Sequence, residues 1–237
     1  MILPDGLLSP PIAHRGLWSA GEAAENSLAA IARACQAAYG VEFDVRLSAD
    51  GEAVVFHDET LKRLAGIDVA VADLSAAELA GQRLLGGPDT IPTLGQVLDV
   101  VDGRAMLLIE LKPGPDPAAL AARTAALLDA YRGAFAVIGF DAESLGWFAR
   151  HRPDWPRGLD AMWETDYLAE ARQELERLSA IADPHFLVLE LEAARSPVAD
   201  QRRRAGQPVV AWTVRSTEDA ARVADHCDNF IFEGFTA

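Results

Sequence analysis

Cysteine is scarce in this chain of 237 residues, with only Cys35 and Cys227 present. Their separation matches neither a metal-binding nor a redox motif, which favours two buried, reduced thiols. Basic residues are also few, at 21 against 36 acidic ones, for a formal net charge of −15. This balance argues against a surface for nucleic acid or for anionic membranes. An anionic substrate would therefore need a local positive feature to hold it.

The sequence also lacks long apolar runs. No segment approaches the ~20 uninterrupted apolar residues of a membrane span, and the N-terminus lacks the basic start and apolar run of a signal peptide. We therefore expect a cytoplasmic protein without stable membrane insertion. Half of the residues are hydrophobic, which is enough for a sizeable core. The length suits one α/β barrel, and we expect a single domain over residues 1–237.

One stretch near the N-terminus has a strongly patterned sequence. Polar and apolar residues alternate over Val41–Leu47, which predicts a strand with Glu42 and Asp44 on the same face. Two neighbouring carboxylates repel each other unless a cation lies between them, and hard divalent cations prefer carboxylate oxygens. The alternative is a strand whose polar face is turned towards water. After an Asp50-Gly51 turn, a short return strand is predicted to end at His57.

The rest of the chain predicts a barrel. Strands are predicted near residues 12, 43, 109, 137, 160, 188, 210 and 231, most of them separated by helical patterns such as Tyr167–Ala182. Eight β/α units predict a TIM-type (β/α)8 barrel. A doubly wound open sheet is the alternative, but it would need a glycine-rich nucleotide loop, which we do not find. Residues 58–92 are too short for a second domain and predict a short insertion, as a lid or a wall, after the second strand.

Barrel enzymes place their active residues at the carboxyl ends of strands. His14 and Arg15 end the first predicted strand, and Glu42 lies on the second. Glu110 and Lys112 end the third, where they form either an ion pair that closes the strand or a metal ligand and a phosphate contact. Together with Asp44 and His57, these side chains are expected at one mouth of the barrel.

Several short motifs extend over essentially the whole chain. They are His14-Arg15-Gly16, Glu25-Asn26-Ser27, Glu42-x-Asp44, His57-Asp58, Glu110-x-Lys112, Phe140-Asp141 and Ala211-Trp212-Thr213-Val214. In combination they resemble the glycerophosphodiester phosphodiesterase family. The resemblance implies a barrel of the phosphatidylinositol phospholipase type. It also implies a small-molecule substrate, a glycerophosphodiester, hydrolysed to glycerol 3-phosphate and an alcohol.

The resemblance further implies a metal centre and an acid–base pair. Glu42, Asp44 and Glu110 would hold a divalent metal ion, Ca²⁺ or Mg²⁺. His14 would act as the base, and His57 would donate a proton to the departing alkoxide. The nucleophile is either water or the glycerol 2-hydroxyl, the latter through a cyclic phosphate.

Substrate contacts follow from the same resemblance. Arg15 and Lys112 would bind the phosphate; Trp212, from its place at the end of the seventh predicted strand, is expected to face the alcohol. The chain departs from the family pattern at Gly139, Arg215 and Phe232-Glu233-Gly234. We expect none of these to touch the implied metal or histidine set, and therefore expect them to affect alcohol specificity rather than the reaction.

Two other functions would use the same barrel. A phospholipase-D-like lyase acts on lysolipid or sphingolipid head groups. It would need an apolar membrane-facing loop and is usually a secreted, disulfide-bonded chain, and the sequence shows neither feature. A non-catalytic phosphodiester-binding barrel is disfavoured because every implied ligand and both histidines are present. The products formed from glycerophosphocholine would distinguish the lyase from a glycerophosphodiesterase. Metal-dependent turnover would exclude the non-catalytic barrel.

Overall fold

Eight parallel strands close into a barrel in this computed structural model, which describes residues 3–163 and 168–237. The strands are β1 (Ile12–Ala13), β2 (Gly40–Leu47), β3 (Ala53–Val55), β4 (Leu107–Leu111), β5 (Phe135–Gly139), β6 (Arg157–Ala161), β7 (Phe186–Glu190), β8 (Val209–Val214) and β9 (Asn229–Phe232). The ring closes because β1 pairs in parallel with both β2 and β9. Among the strands of the described residues, only β3 stands outside the ring, antiparallel to β2. The predicted TIM-type (β/α)8 fold is confirmed, and every predicted barrel strand is present.

Helices connect the strands. They are α1 (Leu28–Gln36), α2 (Lys62–Ala65), α3 (Ala76–Ala80), α4 (Leu94–Val101), α5 (Pro117–Leu128), α6 (Ala142–His151), α7 (Leu168–Ala182), α8 (Leu191–Ala194), α9 (Pro197–Arg204) and α10 (Thr217–Val223). Ser27 caps α1 by accepting a hydrogen bond from the Ala30 amide. The helix predicted from Tyr167 is α7, and Tyr167 itself lies outside the described residues. No helix in the described ranges is both long and apolar enough to cross a membrane.

Strand side chains alternate between two apolar layers. Ile109 packs outward with the helices, whereas its neighbour Leu108 points into the barrel. The inner layer is filled by side chains such as Ile138, Val188 and Ile231, so the barrel is a packed core rather than a pore. Removing a buried side chain of this kind, as in Leu108→Ala, typically destabilises a protein by ~2–5 kcal/mol. A ligand must therefore bind at an end of the barrel.

The predicted insertion after β2 is a packed element. It begins with β3, continues through α2, a 3₁₀ turn at Val71–Asp73 and α3, and ends where Thr93 caps α4. Phe56, Leu61 and Leu79 form a separate buried cluster together with Ala24 from the β1–α1 loop. The insertion is therefore packed against the segment that follows β1. The short helices α2 and α8 contain too few residues to show a helical period, which is why the sequence did not predict them.

Both cysteines are free thiols, as predicted from their spacing. Cys227 is buried, and its thiol donates to the Val223 carbonyl oxygen at 3.3 Å. Cys35, on α1, is only half-buried, so the prediction that both thiols are buried is wrong for this residue.

Candidate active site

Three carboxylates meet near the carboxyl ends of β2 and β4. Glu42 and Asp44 lie two residues apart on β2, and Asp44 is directly opposite Glu110 in the parallel register. One oxygen from each side chain lies within 4.8 Å of the other two. All three residues are buried, with exposed fractions of 2%, 0% and 8%. The structure therefore brings together the three residues predicted to form a metal centre.

The donor set of this cluster fits a hard divalent cation. Glu42 Oε1 is buried and has no hydrogen-bond partner within residues 3–163 and 168–237, and the buried Asp44 Oδ1 has no hydrogen bond there but lies 3.3 Å from Lys112 Nζ. A buried carboxylate oxygen left unpaired is costly, and a cation ligand removes that cost. Because every donor is an oxygen, the set suits Ca²⁺ or Mg²⁺ better than a softer metal.

The charge states of the cluster reflect its crowding. Burial, followed by repulsion from Asp44 and Glu110, raises the pKa of Glu42 well above its usual value. Burial and Asp44 likewise raise the pKa of Glu110 to about 7. Burial acts in the same direction on Asp44, but the charges of Lys112 and Arg15 hold its pKa below the usual range. A divalent cation at this point would relieve the repulsion among the three groups.

Arg15 reaches the cluster through a tight turn after β1. Its backbone amide donates to Glu42 Oε2 at 2.9 Å, and its Nε lies 3.5 Å from Asp44 Oδ2. Gly16 permits the turn, because it has a φ of +80° and a Cβ there would lie 2.7 Å from the Ala30 carbonyl carbon. The His14-Arg15-Gly16 motif therefore serves to aim a guanidinium at the carboxylates.

Lys112 forms a short ion pair at the end of β4. Its Nζ donates to Glu110 Oε1 at 2.7 Å and lies 3.3 Å from Asp44 Oδ1. The ion pair that the sequence left as one alternative is thus present. Lys112 also lines a cavity of about 140 Å³ at the barrel mouth, together with Arg15, so the phosphate contact remains a prediction.

Each of the two predicted histidines has a carboxylate on its Nδ1 atom. His14 Nδ1 lies 2.7 Å from Glu233 Oε2, and His14 Nε2 lies 3.9 Å from Glu42 Oε2. His57 Nδ1 lies 2.7 Å from Asp58 Oδ1. Burial, together with the charges of Lys112 and Arg15, lowers the pKa of His57 below its usual value. Both rings line the 140 Å³ cavity, so they face the same space as Glu42 and Glu110.

Glu233 was not among the predicted site residues. The expectation that the departures from the family pattern lie away from the histidines is wrong, because Glu233 contacts His14 directly. Arg215, another departure, donates from Nε to Glu233 Oε1 at 2.8 Å. Burial acts to raise the pKa of Glu233, but His14 and Arg215 together lower it to about 2. The sequence feature that could have identified Glu233 is its position as an acidic residue immediately after the last strand.

Glu25 and Asn26 support the cluster from the β1–α1 loop. Glu25 accepts hydrogen bonds from Arg15 at 2.6 Å and from Arg63 at 2.7 and 2.8 Å. Asn26 Nδ2 donates to Asp44 Oδ2 at 2.7 Å. Ser27, the third residue of their motif, caps α1, and the two residues before it orient Arg15 and Asp44.

The side of the cavity opposite the carboxylate cluster is lined by two aromatic side chains and one further acidic side chain. Trp212, on β8, packs edge-to-face against Phe140 with ring centroids 5.7 Å apart. Asp160, on β6, is 3% exposed, and neither of its oxygens has a hydrogen-bond partner among the described residues. Burial, with repulsion from Glu110, raises the pKa of Asp160 well above its usual value. The sequence did not predict Asp160, because it stands alone on a weakly patterned strand.

Comparisons with known proteins agree with this geometry. The Glycerophosphoryl diester phosphodiesterase family profile matches residues 14–227. A curated glycerophosphodiester phosphodiesterase from Caldanaerobacter subterraneus is 36% identical over 113 residues, which are 44% of this chain and 45% of that protein.

Solved structures extend the likeness to nearly the whole fold. An Oleispira antarctica phosphodiesterase, solved in complex with the product sn-glycerol-3-phosphate, superposes with a TM-score of 0.80 and 27% identity over 94% of this chain and 91% of that one. A Thermotoga maritima glycerophosphodiester phosphodiesterase gives a TM-score of 0.73 and 27% identity over 93% and 92% of the two chains. The chain described here belongs to the glycerophosphoryl diester phosphodiesterase family, whose members are phosphoric diester hydrolases.

Proposed function

We propose that this protein hydrolyses glycerophosphodiesters to glycerol 3-phosphate and an alcohol, with a bound divalent cation and histidine acid–base catalysis. The observation that carries the proposal is the convergence of the carboxylate cluster, the two histidines and two cationic side chains on one cavity of about 140 Å³. The Oleispira relative supports the choice of product, because it was solved with glycerol 3-phosphate.

Arg15 and Lys112 bind the phosphate in this proposal. In a protein with a formal net charge of −15, they provide the local positive charge that an anionic diester needs. Arg15 offers a planar fork of donors, and Lys112 offers a point charge held in place by Glu110. Both contacts strengthen as negative charge builds up on the phosphoryl oxygens in the transition state.

His14 and His57 move the protons. A proton on Nδ1 makes the contact with Glu233 or Asp58 a hydrogen bond, which leaves Nε2 of each ring for the reacting groups. His14 takes the proton of the nucleophile, and protonated His57 donates to the departing alkoxide. Loss of the alcohol as a neutral molecule rather than an alkoxide lowers the barrier.

Glu42, Asp44 and Glu110 would hold the cation. When bound, a Ca²⁺ or Mg²⁺ ion supplies Lewis-acid stabilisation of the charge on the phosphate. The protein contributes oxygen ligands placed by strand register and kept in orientation by Asn26 and Arg15.

Metal removal tests the proposal. Dialysis against EDTA should abolish release of glycerol 3-phosphate from glycerophosphocholine, and Ca²⁺ or Mg²⁺ should restore it. Glu42→Gln should weaken binding of the added ion, measured by calorimetry. Glu190→Gln should not, because Glu190 lies at the end of β7 and does not line the cavity.

The products decide among the functions. Glycerol 3-phosphate and choline, identified by ³¹P and ¹H NMR, support hydrolysis. A cyclic phosphate as the end product would instead indicate a lyase. Full turnover after exhaustive chelation, with no metal in the protein, would overturn the metal-dependent mechanism, and binding without any turnover would indicate a non-catalytic barrel.

A further inference from the structure

We propose that Asp160 selects diesters whose alcohol carries a positively charged nitrogen, bound between the Asp160 carboxylate and the Phe140–Trp212 ring pair. The inference rests on the proposed function, since it assigns the alcohol side of the same cavity. It concerns a residue that belongs to none of the motifs of the first half of the chain.

The cavity has two chemically distinct halves. The predicted metal ligands and phosphate contacts come from β1, β2 and β4 and the loops that follow them. Asp160, Phe140 and Trp212 come from β6, the end of β5 and β8, on the opposite part of the barrel ring. A diester whose phosphate lies near the first group therefore extends its alcohol towards the second.

Asp160 is a buried acidic side chain without a cation. Glu110 has Lys112 at 2.7 Å, and Glu233 has Arg215 at 2.8 Å. Asp160 has no ion pair among residues 3–163 and 168–237, and both of its oxygens are buried without a partner. Burial favours the neutral form of this carboxyl group, and a ligand that brings a positive charge to it stabilises the carboxylate instead.

The surrounding side chains favour an alkylated ammonium over a polyol. Ile138, Val188 and Ile231 form an apolar floor that offers no hydrogen bonds. The indole Nε1 of Trp212 already points at the Val188 carbonyl oxygen, at 3.4 Å. Apart from Asp160, the polar lining side chains of this half are Thr213 and Arg215, which are too few for the several hydroxyls of a glycerol or inositol group. An ammonium that carries methyl groups needs only apolar walls, aromatic rings and one negative charge.

The ring pair provides the aromatic part of such a site. Phe140 and Trp212 lie edge-to-face at 5.7 Å, and their strands stand on either side of β6 and β7. Two rings set at an angle form a corner rather than a flat stack, so a compact cation can contact both. Asp160 supplies the charge at the third side of that corner.

The test is a specificity ratio. Wild type and Asp160→Asn are compared for kcat/KM on glycerophosphocholine, which has a cationic alcohol, and glycerophosphoglycerol, which has a neutral one. Loss of a charge-assisted contact predicts that the choline-to-glycerol ratio falls by about ten- to a hundredfold in Asp160→Asn. Phe140→Leu should lower the ratio by a smaller factor, about two- to tenfold.

Glu190→Gln is the matched control. It removes one negative charge from the neighbouring strand end without touching the cavity, so its ratio should stay at the wild-type value. If the choline-to-glycerol ratio fell as much in Glu190→Gln as in Asp160→Asn, the change would be a long-range effect of charge, and the proposed contact at Asp160 would be overturned. Melting temperatures confirm that each variant is folded.

Equilibrium binding separates this inference from the proposed function. Tetramethylammonium chloride, titrated calorimetrically at constant ionic strength, should bind wild type and lose at least ~10-fold in affinity in Asp160→Asn. If wild type hydrolyses no diester, the proposed function fails and this titration still decides the role of Asp160. Equal tetramethylammonium affinity in the two proteins, or an unchanged specificity ratio, would overturn the inference.

Discussion

At the scale of single residues, the site is built from side chains that hold one another in place. His14 and His57 each use Nδ1 to contact a carboxylate, from Glu233 and Asp58, at 2.7 Å. This contact fixes the rotation of each ring and leaves Nε2 free for chemistry. The same arrangement at two positions that are far apart in sequence supports a shared role in proton transfer.

Removing either histidine should affect the reaction far more than the fold. His14→Ala and His57→Ala should each lower kcat by ~10²-fold or more, the scale of a lost general acid or base. The melting temperature of His57→Ala should barely change, and that of His14→Ala should fall only by the few degrees that its contact with Glu233 contributes, because both rings lie at the mouth rather than in the core. His151→Ala, on the exposed face of α6, should retain full activity. An unfolded His14 or His57 variant would instead indicate a structural histidine.

Lys112 distinguishes phosphate binding from strand closure. If it binds the phosphate, Lys112→Met should lower kcat/KM about ten- to a hundredfold for every diester, because the phosphate is common to all of them. Trp212→Ala should instead change the preference among alcohols. If Lys112→Met is less stable but its folded fraction turns over normally, Lys112 serves only to pair with Glu110 at the end of β4. Equal losses across the panel for Trp212→Ala would contradict its assignment to the alcohol.

At the scale of elements, the insertion is tied to the β1–α1 loop by one arginine. Arg63, on α2, contacts Glu25 and also Asp58, the residue that holds His57. The apolar cluster of the insertion includes Ala24, directly before Glu25. The loop that positions Arg15 and the segment that carries His57 therefore form one packed unit.

Loosening this tie should lower activity modestly. Arg63 is 45% exposed, and ion pairs of such side chains contribute about 0.2–1 kcal/mol. Arg63→Met should therefore lower kcat about two- to fivefold and raise amide hydrogen exchange over residues 58–66. Lys62→Met is the matched control, since Lys62 is a neighbouring cation that pairs with the exposed Asp68. Unchanged exchange in Arg63→Met would show that packing alone holds the segment.

At the scale of the whole molecule, the barrel is closed by pairing its first and last strands. The β1 strand has only two residues, Ile12 and Ala13, and the His14 amide continues the contact by donating to the Phe232 carbonyl oxygen at 2.9 Å. Glu233 adds a side-chain contact to His14 and another to Arg215. Closure and the candidate active site therefore share residues.

The contacts of Glu233 with His14 and Arg215 should make part of the stability of the folded protein depend on pH. The pKa of Glu233 falls from 4.5 to about 2 in the folded protein, so its contribution is complete above pH 4.5 and is lost as the pH falls towards 2. At pH 7, Glu233→Gln should lower the melting temperature by about 2–4 °C, corresponding to roughly 1 kcal/mol.

Melting curves between pH 7 and pH 3.5 measure this effect. The difference between wild type and Glu233→Gln should stay constant down to pH 4.5 and shrink as the pH falls from there towards 3.5. Glu176→Gln, on the exposed face of α7, should melt like wild type throughout. A difference that stays constant with pH would mean that Glu233 contributes through packing rather than charge.

The sequence alone determined the fold, the family and most of the residues that meet at the mouth. Period-two alternation places Glu42 and Asp44 on one face of a strand, and parallel β/α units bring successive strand ends to one side. These are local rules, so they can be applied without knowing any long-range contact.

Only the tertiary structure decided how these residues are supported. The contact between His14 and Glu233 joins residues 219 positions apart, and Asp160 acquires its place only when β6 enters the ring. Neither position carries a local pattern that distinguishes it from an ordinary acidic residue. Contacts of this kind depend on the closure of the barrel, which sets distances that no sequence period records.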